Sequence, residues 1–233
     1  MDVMLGNYGW GELHVSDGAL VQSVSSGSGL MDIRGQGSRV LIENGDLTIG
    51  AKNASASLTV RDGAGLKIGK QLDLIGVGGV ENDVLVSGKN SWVDVKGDAF
   101  IGYGSLKRTQ ILDNAVFNVG GLLATGSLWG RGIGESVLLL DNNANLTVDN
   151  GLYLGDDASA SMTILRGAHV RIDQGVTFAY DATATGVLAI SVNAGRPAVL
   201  LAPWMRQVWP LVMGQDKYYS IIQTPEVTTA SLL

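Results

Sequence analysis

The chain has no cysteine among its 233 residues, which excludes disulfides and thiolate metal sites. That absence suits a bacterial secreted protein that crosses membranes unfolded. Histidine is nearly absent too, with only His14 and His169. Charged residues make up 16%, against the usual ~25%. The net charge of -6 and sequence pI near 4.8 argue against a nucleic-acid partner, which selects clustered Lys and Arg. No run of about 18 apolar residues exists to form a membrane helix. The most apolar stretch, Ala198 to Met213, is interrupted by Pro203, Arg206, Gln207 and Pro210. Met1-Asp2-Val3 is not followed by the basic and apolar regions of an export signal. Either the protein is cytosolic or this is a piece of a longer exported chain; repeat sequence begins almost at once, which favours the piece.

What the chain does have is glycine, 33 of 233 residues, about twice the usual ~7%. Much of it recurs in one phrase, an apolar residue followed by Gly: Leu5-Gly6, Ile49-Gly50, Ile75-Gly76, Ile101-Gly102, Leu154-Gly155. Gly50 to Gly76 is 26 residues, and so is Gly76 to Gly102; Gly126 and Gly155 continue at 24 and 29. A period in this range marks a stacked-repeat architecture.

Two longer phrases alternate within the period. One reads Ser57-Leu58-Thr59-Val60-Arg61-Asp62-Gly63-Ala64, with matches at Glu12 to Ala19 and Ser161 to Ala168 and a looser one at Gln110 to Ala115. The other reads Val84-Leu85-Val86-Ser87-Gly88-Lys89-Asn90-Ser91-Trp92-Val93-Asp94-Val95, with partners at Met31 to Ile42 and Leu138 to Val148. Each unit is strand, tight turn, strand, tight turn, strand. The strands alternate at period two, and the turns are Asp-Gly, Asn-Gly, Gly-x-Gly and Asp-Asn, which tolerate positive φ. Strands this short do not make a stable hairpin meander, and no amphipathic helix intervenes for a βαβ unit.

The fold class is therefore all-β: a right-handed parallel β-helix, or solenoid, of about seven rungs spaced ~4.8 Å apart. Leu47/Ile49, Leu58/Val60, Val93/Val95, Leu146/Val148 and Met162/Ile164 are expected to form aliphatic ladders inside. Thr48, Thr59, Asp94, Thr147 and Thr163 are expected to form polar ladders outside. Residues 1–182 form the repeat region and 183–233 a C-terminal cap of the same solenoid. Rod ends need caps because they present unpaired strand edges. Val187 to Val192 reads as a strand in the cap and Gly214 to Ile222 as a turn and another strand, with a short amphipathic helix around Trp204 to Val212.

The two alternating phrases resemble the repeats of Gram-negative autotransporter passengers of type V secretion. The resemblance spans about residues 5 to 178, and its best instance is Val84 to Gly102, where Gly88, Ser91, Trp92, Gly97 and Ile101-Gly102 fall on the pattern. Gly214 to Ile222 is similar to the terminal strand that precedes the membrane barrel. The resemblance implies a rod at the cell surface, on the outer membrane, acting as an adhesin or in self-association. The export signal and the barrel of that family are not in this sequence.

No catalytic, cofactor-binding or metal-binding set emerges from the residues. The histidines sit about six rungs apart and cannot share a metal. The turn aspartates Asp17, Asp62, Asp113, Asp141, Asp156 and Asp157 read as turn chemistry. The loops at Gly76 to Gly79 and Gly130 to Gly134 lack the Gly-Lys-Ser/Thr and helix of a phosphate loop. No serine sits in a nucleophile elbow. Aromatics cluster just after the apolar-Gly phrase, so Tyr8, Trp10, Tyr103 and Trp129 form the candidate contact patch, with Trp92 and Tyr153 beside them in interest. The reading is a non-enzymatic protein without cofactor, whose partner is another copy of itself or a surface glycan. The alternative is a polysaccharide lyase or hydrolase on the same fold, which requires two carboxylates and an Arg or Lys on neighbouring rungs.

Overall fold

Runs of three to seven residues, most of them alternating apolar and polar, form the short strands of the coils, and a corner follows each strand. The computed structural model describes residues 12–15, 17–18, 20–23, 29–50, 56–75, 82–103, 107–125, 135–154, 159–178, 186–193, 196–197, 199–201, 217–224 and 227–232. A leading pair, β1 (Glu12–Val15) and β2 (Leu20–Ser23), precedes six coils of three strands. The first coil is β3 (Leu30–Arg34), β4 (Arg39–Ile42) and β5 (Leu47–Ile49); the second is β6 (Ala56–Arg61), β7 (Gly65–Ile68) and β8 (Leu72–Ile75). The third is β9 (Asn82–Ser87), β10 (Trp92–Val95) and β11 (Ala99–Tyr103); the fourth is β12 (Lys107–Leu112), β13 (Val116–Val119) and β14 (Leu123–Thr125). The fifth is β15 (Glu135–Asp141), β16 (Asn145–Val148) and β17 (Gly151–Leu154); the sixth is β18 (Ser159–Ile164), β19 (His169–Ile172) and β20 (Gly175–Phe178). β21 (Gly186–Asn193), β22 (Arg196–Pro197), β23 (Val199–Leu201), β24 (Lys217–Thr224) and β25 (Val227–Leu232) complete the order.

Like strands of successive coils pair in parallel, giving three sheets that run along a solenoid. The first sheet runs β1-β3-β6-β9-β12-β15-β18-β21-β24-β25, the second β2-β4-β7-β10-β13-β16-β19-β23, and the third β5-β8-β11-β14-β17-β20. The expected parallel stacking is present; among the described residues it comprises six complete coils with a two-strand level before and another after, rather than seven equal rungs. The sequence period is the register. Ser57 pairs with Asp83 and Asp83 with Arg108, steps of 26 and 25 residues. The 29-residue step reappears as Phe117 against Leu146.

The predicted inward residues are buried. Met31, Leu58, Val84, Leu138, Met162 and Leu188 share one column of the first sheet, and Ile33, Val60, Val86, Ile111, Leu140 and Ile164 the next. Val40, Leu66, Val93, Phe117, Leu146 and Val170 line the second sheet. Each fully buried aliphatic contributes roughly 1.5–3 kcal/mol. Burying every level against the next is what makes the coils stable, because no single coil encloses its own apolar face. Thr109 breaks the first column: its hydroxyl is buried among aliphatics with no hydrogen-bond partner. The predicted outward residues are half-buried and spread over three sheets, and their columns are not uniformly polar. Thr59 and Thr163 share a column with Leu85 and Leu139.

The corner between the first and second sheets uses left-handed backbone. Asp62-Gly63, Asp113-Asn114, Asn142-Asn143 and Arg166-Gly167 all have positive φ, the pairing that a type I′ turn requires. The corner between the second and third sheets does not. Asn44, Gly45, Gly97, Asn150 and Gly151 are absent from the left-handed region. Asn-Gly tolerates positive φ, but this corner does not use it. Most glycines of that corner serve close stacking instead. A Cβ on Gly97 would come 2.7 Å from the Lys70 carbonyl oxygen one coil away, and one on Gly69 would strike the Glu43 carbonyl.

The alternation of the two phrases has a structural cause. Ser38 of the first coil accepts a hydrogen bond from the Gly18 N–H behind it (3.0 Å), and Asp46 of the same coil accepts from the Gln71 N–H ahead (3.1 Å). The third coil repeats the scheme: Ser91 Oγ accepts from Gly63 N–H at 2.9 Å, and Asp98 Oδ1 accepts from Leu122 N–H at 2.7 Å. The fifth coil has Ala144 and Gly151 at these places and braces its neighbours differently. Asn142 donates back to Asp113 (2.6 Å), and Asp141 accepts from Arg166 ahead, Nε at 2.7 Å and Nη2 beside it. Coils one, three and five thus clamp the coils on either side, so the true repeat is a pair of coils.

Parallel stacking reaches β21 on β18 and β23 on β19. β24 then lies antiparallel on β21, and β25 antiparallel on β24. A reversed strand covers the edge that a further coil would otherwise occupy. The expected strand at 187–192 lies within β21 and the expected strand toward Ile222 is β24, from Lys217; the turn expected at 214–216 and the helix expected at Trp204 to Val212 lie outside the described residues.

Candidate functional site

Of the predicted contact patch, Tyr8, Trp10 and Trp129 lie outside the described residues. Tyr103 ends β11, where its backbone pairs with Ile75 after a register shift from Ile101. Gly76 to Gly79, Gly130 to Gly134, Asp156 and Asp157 also lie outside. Trp92 and Tyr153, the two of the singled-out aromatics whose side chains are described, have different surroundings. Trp92 lies over Gly65 of the coil behind, where a Cβ would strike its indole. The Arg39 guanidinium, one coil further back, sits 5.4 Å from the ring centroid and donates to the Ser38 and Gly63 carbonyls at 2.7 and 3.0 Å. Cation–π geometry of this kind contributes ~0.5–1 kcal/mol on a surface. Trp92 therefore joins three coils along the second sheet.

Tyr153 lines an open groove of about 500 Å³ on the third sheet, with Asp98, Leu122, Asn150, Gly151, Gln174, Gly175 and Thr177. Register builds it. Leu123 pairs with Leu152 and Leu152 with Val176, so the residue before each forms the column Leu122, Gly151, Gly175, with Asp98 one level earlier. The next outward column is Phe100, Ala124, Tyr153 and Thr177. Two successive glycines remove a side chain over two levels and leave a trough. Tyr153 and Thr177 flank one side; Asn150 and Gln174, exposed at the corner, flank the other. The sequence contained the signal, Asn150-Gly151-Leu152-Tyr153 against Gln174-Gly175-Val176-Thr177, but Asn-Gly was read there as a turn.

The acidic and basic side chains are mostly engaged within or between coils. Arg166 hydrogen-bonds Asp141 and holds its carboxyl below the usual carboxylate range. Arg171 pairs with Asp149 at 2.8 Å and Asp173 at 3.1 Å. Burial pushes the Asp73 carboxyl up, although Gln71 Nε2 donates to both its oxygens at 2.9 Å; nearby Asp46 adds to the rise. His14 is on the first sheet and His169 on the second, six levels apart. Among the described residues no three His, Asp or Glu side chains gather to hold a metal. Among them also, no helix is long and apolar enough to cross a membrane.

Fold and surface together define a cross-braced parallel β-solenoid with one polar, aromatic-walled groove described on its flank. The chain matches no family model, no curated protein and no solved structure.

Proposed function

We propose that the chain is a non-catalytic interaction rod, the passenger segment of an autotransporter-like exported protein, displayed at the surface of a Gram-negative cell. It acts in adhesion or self-association of those cells. The observation that supports this reading is the outward face of the first sheet. Its central column reads Asp32, Thr59, Leu85, Gln110, Leu139 and Thr163, one charge in six levels. That column is uncharged from Thr59 to Thr163 and offers hydroxyl, amide and leucine side chains at regular intervals, between outer columns that carry Arg34, Arg61, Asp83 and Arg108; a second rod laid alongside would seat on it. Contacts there are individually weak and add along the length. The bracing of alternate coils keeps those intervals fixed.

The enzymatic alternative needs two carboxylates and a base converging on neighbouring coils. The groove on the third sheet has one carboxylate, Asp98, and no Lys or Arg in its lining, which favours the binding reading. The test is settling of bacteria that display the chain. Wild type is expected to clump, and a Leu85→Lys/Leu139→Lys variant to stay dispersed with an unchanged circular dichroism spectrum. Equal settling of both, or turnover of a polysaccharide by purified protein, overturns the proposal.

A further inference from the structure

Gly175 is a glycine that neither backbone nor packing demands. Its φ is not left-handed, and a Cβ built on it would meet nothing within 4 Å. Gly151, one coil earlier, also lacks a positive φ, and its Cβ would come no closer than 3.4 Å to Leu122 Cδ1 and the Gly175 carbonyl oxygen. Gly69, Gly97, Gly120 and Gly121, by contrast, would drive a Cβ into the backbone or side chain of the coil behind. Glycine in a strand carries an entropic cost that alanine lacks. Here that cost leaves open space beside an aromatic ring, and the space is the groove.

From this we infer that the groove on the third sheet binds a neutral saccharide. The Tyr153 ring passes 3.8 Å from the Gly151 Cβ position, so it borders the trough and presents an apolar surface for the C–H face of a sugar ring. The Asn150 and Gln174 carboxamides stand one level apart, about 4.8 Å in a parallel stack. Each offers both donors and an acceptor, the combination that hydroxyl pairs need. Thr177 adds a hydroxyl at the second level. Asp98 is the one charged group in the lining; its sign disfavours uronates, sialic acids and phosphates. A volume of about 500 Å³ falls within the ~300–1,000 Å³ typical of small-molecule sites.

This inference rests on the reading of the chain as an interaction rod and names what one flank of that rod holds. The test is titration calorimetry of the purified chain with cellohexaose, mannohexaose and chitohexaose, with polygalacturonate as the anionic arm. One or more of the neutral probes is expected to bind. Gly175→Leu fills the trough without disturbing its frame and is expected to weaken that binding roughly tenfold or more, with melting temperature unchanged. Tyr153→Ala is expected to act in the same direction, while Gly175→Ala keeps both binding and fold. Binding of polygalacturonate alone, no binding of any neutral probe, or full binding by Gly175→Leu overturns the inference. Settling separates the two ideas. No binding of any neutral probe by the wild-type chain, with settling intact, refutes the groove alone, and settling insensitive to the first-sheet variant with sugar binding intact refutes self-association alone.

Discussion

Replacing Ser91 by alanine tests the two-coil bracing directly. Ser91 is fully buried, and its Oγ accepts the Gly63 N–H at 2.9 Å across the coil boundary. Gly63 is buried as well. Alanine removes the acceptor but not the donor, so a buried N–H loses its partner, at a cost of about 1–3 kcal/mol. Ser38 makes the equivalent contact to Gly18 at 3.0 Å, but Gly18 is exposed. Water replaces that acceptor, and Ser38→Ala should cost under ~1 kcal/mol through this contact. Ser38 Oγ also donates to the Arg34 carbonyl at 2.7 Å, so the measurement must resolve the individual corner. Stacked repeats unfold in parts as readily as all at once. The assay is therefore amide hydrogen exchange with urea denaturation, read at Gly63 and Gly18 and at the strands around them. Ser91→Ala should speed exchange at Gly63 and in β6 and β10 and lower the denaturation midpoint. Ser38→Ala should speed exchange at Gly18 with a smaller shift. Equal effects of the two, or a Ser91→Ala protein within ~0.3 kcal/mol of wild type, would refute the claim that these serines brace the coils.

Three further perturbations follow from buried polar groups. Thr109→Val removes a hydroxyl buried without a partner in an aliphatic column, so it should stabilise by about 1 kcal/mol; a lower denaturation midpoint would contradict this. Asp73 has a raised pKa in the folded protein, so its contribution is fully present below the unfolded carboxylate pKa of ~3.9. That contribution is lost as pH rises through the folded value, and Asp73→Asn should raise the urea midpoint at pH 7 with the gain vanishing toward pH 3. Asp141 has the opposite shift, with Arg166 as its main cause. Its contribution is present above ~3.9 and lost as pH falls through the depressed folded value, so Asp141→Asn should lower the midpoint at pH 7 and match wild type in strong acid.

The fold was legible because its signal is one-dimensional. Leu58-Thr59-Val60 and Val93-Asp94-Val95 state by alternation which side chains face inward, and the fixed period states that equal positions stack. The paired phrases were legible as well, but their purpose was not. Ser38 and Ser91 stood in the phrases without an assigned role, and only the register shows that each reaches a glycine of the preceding coil. What glycine does in the Asn-Gly pairs was not legible, because glycine has two uses at a corner, a positive φ or a close approach. Composition does not separate them, whereas Gly63 and Gly97 differ in φ. The groove was least legible. Tyr153 stood out as an aromatic, yet its partners Asn150, Gln174 and Thr177 become neighbours only when the fifth and sixth coils are superposed.

Bracing and binding meet at one place along the rod. The Ser and Asp clamps act in coils one and three, and the fifth coil has lost both, with Ala144 in place of serine and Gly151 at the site equivalent to Asp98. The loss at Ala144 is made good by Asn142 and by the Asp141–Arg166 pair at the same corner. At the other corner the side chain is gone and Gly151 opens the trough. A coil that kept aspartate there would fill the trough with a carboxylate turned toward the coil ahead, as Asp98 turns toward Leu122. Gly151→Asp should therefore restore the clamp by accepting the Gly175 N–H, raise protection of β20 against exchange, and close the groove to a neutral sugar. Stability gained and binding lost in one substitution would mean that the fifth coil gave up its second clamp for the site; binding retained would mean that the trough is only a gap in the repeat.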